Sequence, residues 1–252
     1  MTSKHIAICV PSTGSWHSRT GTSLMGISLE RAGLDVSVHA LDVATPANAR
    51  NLLVKEALEF GASHMLFVDS DMAFPSNSLH RLLAWEKDIV GICYPMRRPP
   101  YDLVGKPLTV TSDGQYPDLT EMEFLGGGLL LISMGVFKAI QAPWFFETYN
   151  YPDRTPREQF YDSLRDQFPG LPGAALDRIR SISEVTDWLD REEVNSRNVT
   201  WTATEDVTFC GKARRHGFQI WADMALMMEC QHIGERYNQV NGQEGDNWPI
   251  IR

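Results

Sequence analysis

This chain has too few cysteines for a stapled fold: four in 252 residues, at Cys9, Cys93, Cys210 and Cys230, with no C-x-x-C pair among them. That excludes a disulfide framework and a structural zinc ribbon, and buried, reduced thiols are expected instead. No apolar run approaches the roughly 20 residues that cross a bilayer. Met1-Thr2-Ser3-Lys4-His5 leads straight into a strand-like run without the apolar core of a signal peptide, so a cytoplasmic protein without a membrane span is expected. The sequon Asn198-Val199-Thr200 then has no meaning. Positive charge is also scarce. The net charge is −9, which argues against a broad nucleic-acid-binding surface, and Arg97-Arg98 and Arg214-Arg215 read as solvated pairs. Gly14 to Ser23 holds glycines and hydroxyls but no G-K-[ST], and no G-x-G-x-x-G follows the first strand, which excludes a P-loop and a dinucleotide fingerprint. There is no internal repeat and no low-complexity tract.

What is present is an ordinary globular composition, 43% hydrophobic and 22% charged, with alternating strand and helix signals. Ile6 to Val10 reads as a first strand, and Gly21 to Ala32 as a helix stopped by Gly33. Leu34 to Leu41 alternates as a second strand. Thr45-Pro46 is an N-cap with Pro at N1, opening a helix with Ala49, Leu53, Ala57 and Phe60 on one face and Gly61 as its stop. Strands are expected at His64 to Asp71 and at Ile89 to Tyr94, with a helix from Ser76 to Trp85 between them. This series predicts an α/β fold: a Rossmann-like, mixed, mostly parallel sheet with helices on both faces. Leu108 to Thr111 reads as an edge or antiparallel strand. Phe124 to Ile132 reads as one strand interrupted by Gly126-Gly127-Gly128, before a helix from Ser133 to Gln141. Tyr149 to Asn198 changes character, with a capping box at Thr155-Pro156-Arg157-Glu158, a turn-rich Pro169 to Gly173, and a polar helix from Leu176 to Arg191. We expect one domain over residues 1–252 with this segment inserted over one face as a lid. The core resumes with a helix from Thr204 to His216 and a strand from Phe218 to Trp221.

Three constellations carry chemistry. In His64-Met65-Leu66-Phe67-Val68-Asp69-Ser70-Asp71, a buried strand ends in two carboxylates. The carboxyl ends of strands in open α/β sheets are where ligands sit. Burying two carboxylates there demands a cation, and Mg²⁺ is usually held by one or two carboxylates plus substrate phosphates. Thr204-Glu205-Asp206 places two acids in the first turn of a helix, where the dipole favours them by about 0.3–1 kcal/mol. Simple capping explains them as well as a general base does. Glu229-Cys230-Gln231-His232-Ile233-Gly234 offers a late histidine, a structural residue in most contexts and a metal ligand only beside acids that ask for one. Trp144, Phe145, Phe146, Tyr149 and Tyr151 form an aromatic cluster that is either a stacking platform or buried core.

In their order along the chain, Phe67-Val68-Asp69-Ser70-Asp71, Gly126-Gly127-Gly128, Thr204-Glu205-Asp206 and His232 resemble the motifs of GT-A fold glycosyltransferases, above all the inverting, family-2-like group and related phage or bacterial enzymes. The resemblance implies a nucleotide-binding half over 1–105 and an acceptor half over 106–252. It implies Mn²⁺ or Mg²⁺ held by Asp71 and His232, with Asp69 at the metal or the ribose. Asp206 would be the base, with Glu205 beside the acceptor or sugar. Pro11, Ser12, Thr13 and Asp42 would hold the nucleoside, Arg50 and Asn51 would lie under the nucleotide, and Ser70, Gly127 and Gly128 would line the donor site. The implied donor is a nucleotide sugar, a UDP-sugar first, and the acceptor stays open among saccharide, small molecule, protein and modified nucleic acid. After the second strand, Leu41-Asp42-Val43-Ala44 replaces the family's acidic, Ser-rich turn, so the base-recognising residues are not carried over.

Three other readings compete. A HAD-type phosphatase also uses D-x-D after a strand, but there the motif lies in the first strand, and here no later acidic metal motif follows except Asp246 near the end. A nucleotidyltransferase would want a Gly-rich basic loop near the N-terminus. A non-catalytic sugar- or nucleotide-binding module would not need all three constellations.

Overall fold

The computed structural model describes residues 4–12, 14–31, 33–42, 45–96, 102–108, 116–150, 160–161, 164, 170, 172–182 and 200–233. Its elements are β1 (His5–Ser12), α1 (Ser18–Leu29), β2 (Asp35–Asp42), α2 (Pro46–Glu59), β3 (His64–Val68), β4 (Met72–Ala73), α3 (Ser78–Ala84), β5 (Ile89–Gly91), β6 (Gly105–Pro107), β7 (Leu119–Leu125), β8 (Leu129–Ser133), α4 (Met134–Ala139), β9 (Thr148–Asn150), α5 (Gly173–Arg180), β10 (Thr200–Ala203), α6 (Glu205–Arg215), β11 (Ile220–Asp223), α7 (Met224–Met227) and β12 (Gln231–His232).

Two compact units are present, residues 1–146 with 205–252, and residues 147–204. The larger carries an eight-stranded sheet in the order β2-β1-β3-β8-β5-β11-β7-β6. β1 pairs in parallel with β2 and β3, and β5 with β11, whereas β7 and β8 run antiparallel to each of their neighbours. All strands but β7 and β8 therefore share one direction, the mixed, mostly parallel α/β sheet that the sequence predicts.

Alternation along the strands sorts the core onto two faces. Ala7, Cys9, Met65 and Phe67 bury against α2, α4 and α6 through Leu53, Ala57, Phe137, Phe209 and Ala213. Ile6, Ile8, Val10, Leu66 and Val68 bury against α1, α3 and α7 through Leu24, Ile27, Leu79, Leu82 and Leu226. Helices on both faces follow from central strands, β1, β3 and β8, that are buried at nearly every position. The predicted start of α2 holds: Pro46 sits in its first turn and Thr45 Oγ1 accepts from Asn48 N at 3.4 Å. Gly61 and Gly217, with φ of 70° and 87°, end α2 and α6 in the left-handed region.

The glycine stretch departs from expectation. Residues 124–132 are not one strand but the end of β7 and the start of β8, two strands that are not neighbours in the sheet. Gly126 to Gly128 is the crossing between them. The edge strand expected at Leu108–Thr111 begins earlier, as β6, and Leu108 N still donates to Glu121 O at 2.9 Å, while Thr109 to Thr111 lie outside the described residues. The last strand is shifted by two residues, to Ile220–Asp223.

In the smaller unit, β9 and β10 pair antiparallel, α5 covers Gly173–Arg180, and Tyr161 is buried against Phe160, Leu164 and Ile179. Most of the expected capping-box helix and the second polar helix beyond Ile182 lie outside the described residues. Of the aromatic cluster, Trp144 and Phe145 are core: both are buried, and Phe145 stacks on Phe209 at 4.7 Å, while Tyr151 lies outside the described residues.

All four cysteines are free. Burial pushes the Cys93 thiol up to about 11 and those of Cys210 and Cys230 up to about 12, so they are inert apolar packing.

Candidate functional site

Five chain segments bring their polar residues to one end of the sheet. β3 stops at Val68, and Asp69 N donates to Gly128 O at 3.0 Å, which ties the acidic turn to the glycine crossing. The Ser70 carbonyl accepts from His17 N at 2.8 Å and from Thr20 Oγ1 at 3.0 Å, so the start of α1 clamps the same turn. After the turn, β4 pairs with β12, setting His232 opposite Met72, and Ile233 N donates to Asp71 O at 2.8 Å.

At the centre is Arg50 of α2, whose side chain is 3% exposed. Nη2 donates to Asp69 Oδ1 at 3.0 Å, Nε donates to Glu205 Oε1 at 3.3 Å, and Nε lies 3.4 Å from Asp206 Oδ1. The guanidinium also lies over the Phe67 ring, 5.1 Å from its centroid. Burial opposes the charge on Arg50, but Asp206, Asp69 and Glu205 outweigh burial and hold it firmly protonated. Nη1 is buried without a hydrogen-bond partner among the described residues, packed against Gly127.

The glycines of the crossing are there for space. A Cβ on Gly127 would come within 2.3 Å of Arg50 Nη1, and one on Gly126 within 2.4 Å of the Tyr94 hydroxyl. One on Gly128 would come within 2.6 Å of Tyr94 Cε1. None of the three has a positive φ, so close approach and not conformation requires glycine. Gly127 N donates to Asp206 Oδ2 at 2.9 Å, and Gly128 N donates to the Tyr94 hydroxyl at 3.1 Å. That hydroxyl in turn donates to Asp69 Oδ2 at 3.4 Å.

Three carboxylates, Asp69, Glu205 and Asp206, thus share one guanidinium. The surplus negative charge shows at Asp206. Burial first, then Glu205 and Asp69, push its carboxyl up to about 7, against the opposing pull of Arg50 and the Gly127 amide. Tyr94, also buried, is held well above the usual phenol range by burial, Asp69 and Asp206, and stays a neutral donor.

Asp71 points elsewhere, and its Oδ1 lies 3.6 Å from His232 Nε2. His232 Nδ1 is 3.0 Å from the Pro95 carbonyl, which can only accept, so Nδ1 carries a proton. Nε2 therefore faces the Asp71 carboxylate across 3.6 Å. A carbonyl that fixes the distal ring nitrogen is the usual support of a ligating histidine. Asp71 and His232 are the two residues here whose donor atoms could contribute to holding a divalent ion. Asp69 does not join that pair, because its two oxygens are taken up by Arg50 and Tyr94. Among the described residues no group of three His, Cys, Asp or Glu side chains is arranged to hold a metal ion.

At the outer strands, Ser12 and Asp42 are register partners. Both accept from Gly14 N, at 3.0 Å to Ser12 Oγ and 3.2 Å to Asp42 Oδ1. Pro11 precedes them at the end of β1, while Thr13 lies outside the described residues. Asn51 is turned away from the rim. Its Nδ2 donates to Ala47 O and Phe145 O, and its Oδ1 accepts from Trp144 N and Phe145 N, all within 3.2 Å. It pins the Trp144–Phe145 backbone to α2.

Tyr94 is the site residue that the sequence reading misses, having been read only as the last residue of an apolar strand. A hydroxyl-bearing aromatic at a strand's carboxyl end, two strands from Asp69, was the available signal. Its ring also lies edge-on to His232, with centroids 5.0 Å apart, so it touches both the acidic group and the Asp71–His232 pair.

No family model and no curated protein matches the chain. Solved structures do. A197 from STIV aligns with a TM-score of 0.44 at 16% identity, over 56% of this chain and 71% of that one. A glycosyltransferase involved in glycosylation of the major capsid of PBCV-1 aligns with a TM-score of 0.32 at 15% identity, over 67% and 79%. HddC from Yersinia pseudotuberculosis aligns with a TM-score of 0.30 at 10% identity, over 53% and 78%. These likenesses assign no role to any residue of this chain. Among the described residues no helix is long and apolar enough to cross a membrane.

Proposed function

We propose that the protein is a glycosyltransferase that moves a sugar from a nucleotide-diphosphate sugar to an acceptor hydroxyl with inversion, a UDP-sugar being the first donor to test. The observation that carries this reading is Asp206. It is a largely buried carboxylate at the sheet's ligand-binding end, oriented by Gly127 N through Oδ2 and pushed up to about 7. A base so placed is half-ionised near neutrality, the poise that general-base catalysis favours. Oδ1 is buried beside Arg50, so Oδ2, held by Gly127 N and with acceptor capacity to spare, takes the proton of the acceptor hydroxyl as that oxygen attacks the anomeric carbon. Arg50 beside it stabilises the ionised form and keeps the carboxylate in place. Glu205, bonded to Arg50, completes the acceptor side. Asp69, fixed by Arg50 and Tyr94, and the backbone at Ser70, Gly127 and Gly128 form the floor beneath the donor. Pro11, Ser12 and Asp42 would hold the nucleoside. Asp71 and His232 would hold Mn²⁺ or Mg²⁺, which supplies a Lewis acid for the charge that develops on a departing diphosphate.

A panel of nucleotide sugars with Mn²⁺, read as nucleotide release, tests the reading. Release from at least one donor is expected. Asp206→Asn should bind that donor but lose transfer by about 10²–10⁴-fold, and Asp71→Ala should lose the response to metal. No release from any donor with either metal, or normal transfer by Asp206→Asn, would overturn the assignment.

A further inference from the structure

A second set of reactive groups lies away from the acidic rim, on the sheet face that α2 covers. Ser37 and His39 of the edge strand β2 are two residues apart and project to the same side. His39 Nε2 is 2.7 Å from Ser37 Oγ, and His39 Nδ1 is 3.1 Å from Glu56 Oε1 on α2. From β1, His5 Nε2 reaches the same Ser37 Oγ at 2.9 Å.

The hydrogen-bond inventory fixes the direction of this chain. A carboxylate only accepts, so His39 Nδ1 carries the proton facing Glu56. In the neutral ring Nε2 then bears the lone pair and accepts the Ser37 hydroxyl proton. The Ser37 oxygen, its own proton committed, accepts from His5 Nε2–H. A nucleophile, its base, the carboxylate that orients the base and a nearby N–H donor for a developing oxyanion are all in hydrogen-bond contact. The group is reachable: Ser37 and His5 are half-buried, and the side chains of His39 and Glu56 are 14% and 42% exposed. The proposed sugar transfer uses none of them.

We propose that Ser37 is an acyl-accepting nucleophile, and that this edge of the sheet is a second site with esterase-type chemistry toward small activated carboxylic esters. Ser37 Oγ bonds to the ester carbonyl carbon while its proton passes to His39 Nε2. The carbon–oxygen bond to the leaving alcohol breaks, and the alcohol departs with the proton from His39. Water then attacks the acyl-serine with His39 again as base, releasing a carboxylic acid and restoring Ser37. Glu56 positions the imidazole throughout, and His5 Nε2–H donates to the carbonyl oxygen as it gains charge.

The test is covalent labelling of the folded full chain with a fluorophosphonate, in which Ser37 Oγ bonds to phosphorus and fluoride leaves, followed by peptide mass spectrometry. An adduct on Ser37 is expected. It should be absent in Ser37→Ala and slowed by about 10²–10⁴-fold in His39→Gln. Glu56→Gln, a substitution at an exposed side chain that leaves the strand intact, should slow it by at least about tenfold while the circular dichroism spectrum is unchanged. A merely structural hydrogen-bond network would not move that rate. No adduct at Ser37, or equal labelling of wild type and Glu56→Gln, would overturn the proposal. Nucleotide release from a sugar donor is expected to be unchanged in Ser37→Ala, so a failure here is distinguishable from a failure of the transferase reading.

Discussion

Two arginine–carboxylate clusters in this protein are built alike and balanced differently. Arg81 of α3 lies 3.6 Å from Asp223 and donates to Glu229 at 2.5 Å. Asp223 also accepts from Trp85 Nε1 at 2.9 Å and from Leu226 N at 2.7 Å, capping α7. Each acid there has a donor, and the arginine, 26% exposed, retains water. Arg50 sits among three carboxylates, is almost wholly buried, and leaves one nitrogen without a hydrogen bond among the described residues. The first cluster holds a helix corner together. The second carries a charge imbalance that only a proton, a cation or a substrate can relieve, and such imbalance concentrates at functional sites. The two guanidiniums thus differ both in burial and in the number of carboxylates around them.

Replacing the two arginines one at a time is the sharpest way to break that contrast. Arg50→Met strands three acids without their cation, and removing one partner of a buried ionic group costs about 3–5 kcal/mol. We expect a loss of that size in chemical denaturation, together with loss of transfer. If Arg50→Met unfolds no more readily than wild type, the carboxylates are hydrated and the cluster is not the buried system described.

The imbalance also predicts a pH dependence. The Asp206 pKa rises on folding from 3.8 to about 7, so between those values the folded state holds a proton that the unfolded state has released. Stability from this group is therefore full below about pH 4 and lost as pH rises through about 7. The change is on the order of a few kcal/mol. Asp206→Asn cannot ionise and should flatten that slope in thermal unfolding from pH 4 to pH 8, with its advantage over wild type growing as pH rises. Transfer by wild type should rise over the same range as the base ionises. Parallel wild-type and Asp206→Asn stability curves would show that Asp206 is not held protonated.

How much of this was legible beforehand differs residue by residue. The apolar run 64–68, the Thr45-Pro46 cap and the left-handed glycines at 61 and 217 are local signals, and each element they mark is present. The acidic residues at 69, 71, 205 and 206 were legible as candidates because charge at the end of an apolar strand or in a first helical turn is costly to bury. Their partition was not. That Asp69 turns to Arg50 while Asp71 turns to His232 depends on the pairing of β4 with β12, separated by more than a hundred residues in the chain. The glycine crossing was misread as one strand because a gap in an apolar run looks the same whether the chain continues in its ladder or jumps to another. Asn51 looked like half of a polar pair with Arg50, yet adjacent helix positions point in different directions.

Gly127→Ala tests the packing half of the contrast with a smaller effect. Its Cβ would press on the Arg50 guanidinium, which is fixed by three acids and by Phe67 and cannot swing aside. Overpacking of this kind costs about 1–3 kcal/mol. It should also displace the amide that holds Asp206, so transfer should fall more than substrate binding does. An alanine that leaves both stability and transfer intact would mean the crossing can yield and that Gly127 N does not orient the base.

Arg81→Met should have the smallest effect. Asp223, 3% exposed, keeps the Trp85 and Leu226 donors, Glu229 is 53% exposed and can turn to water, and an exposed ion pair such as Arg81–Glu229 contributes about 0–1 kcal/mol. A shift of at most a few degrees in the melting temperature is expected, with sugar transfer unchanged. The pair of arginines then differs by several-fold in cost although each touches more than one carboxylate. Were Arg81→Met instead as damaging as Arg50→Met, the water at the α3 corner would be doing less than assigned to it, and charge balance would lose its power to tell the two clusters apart.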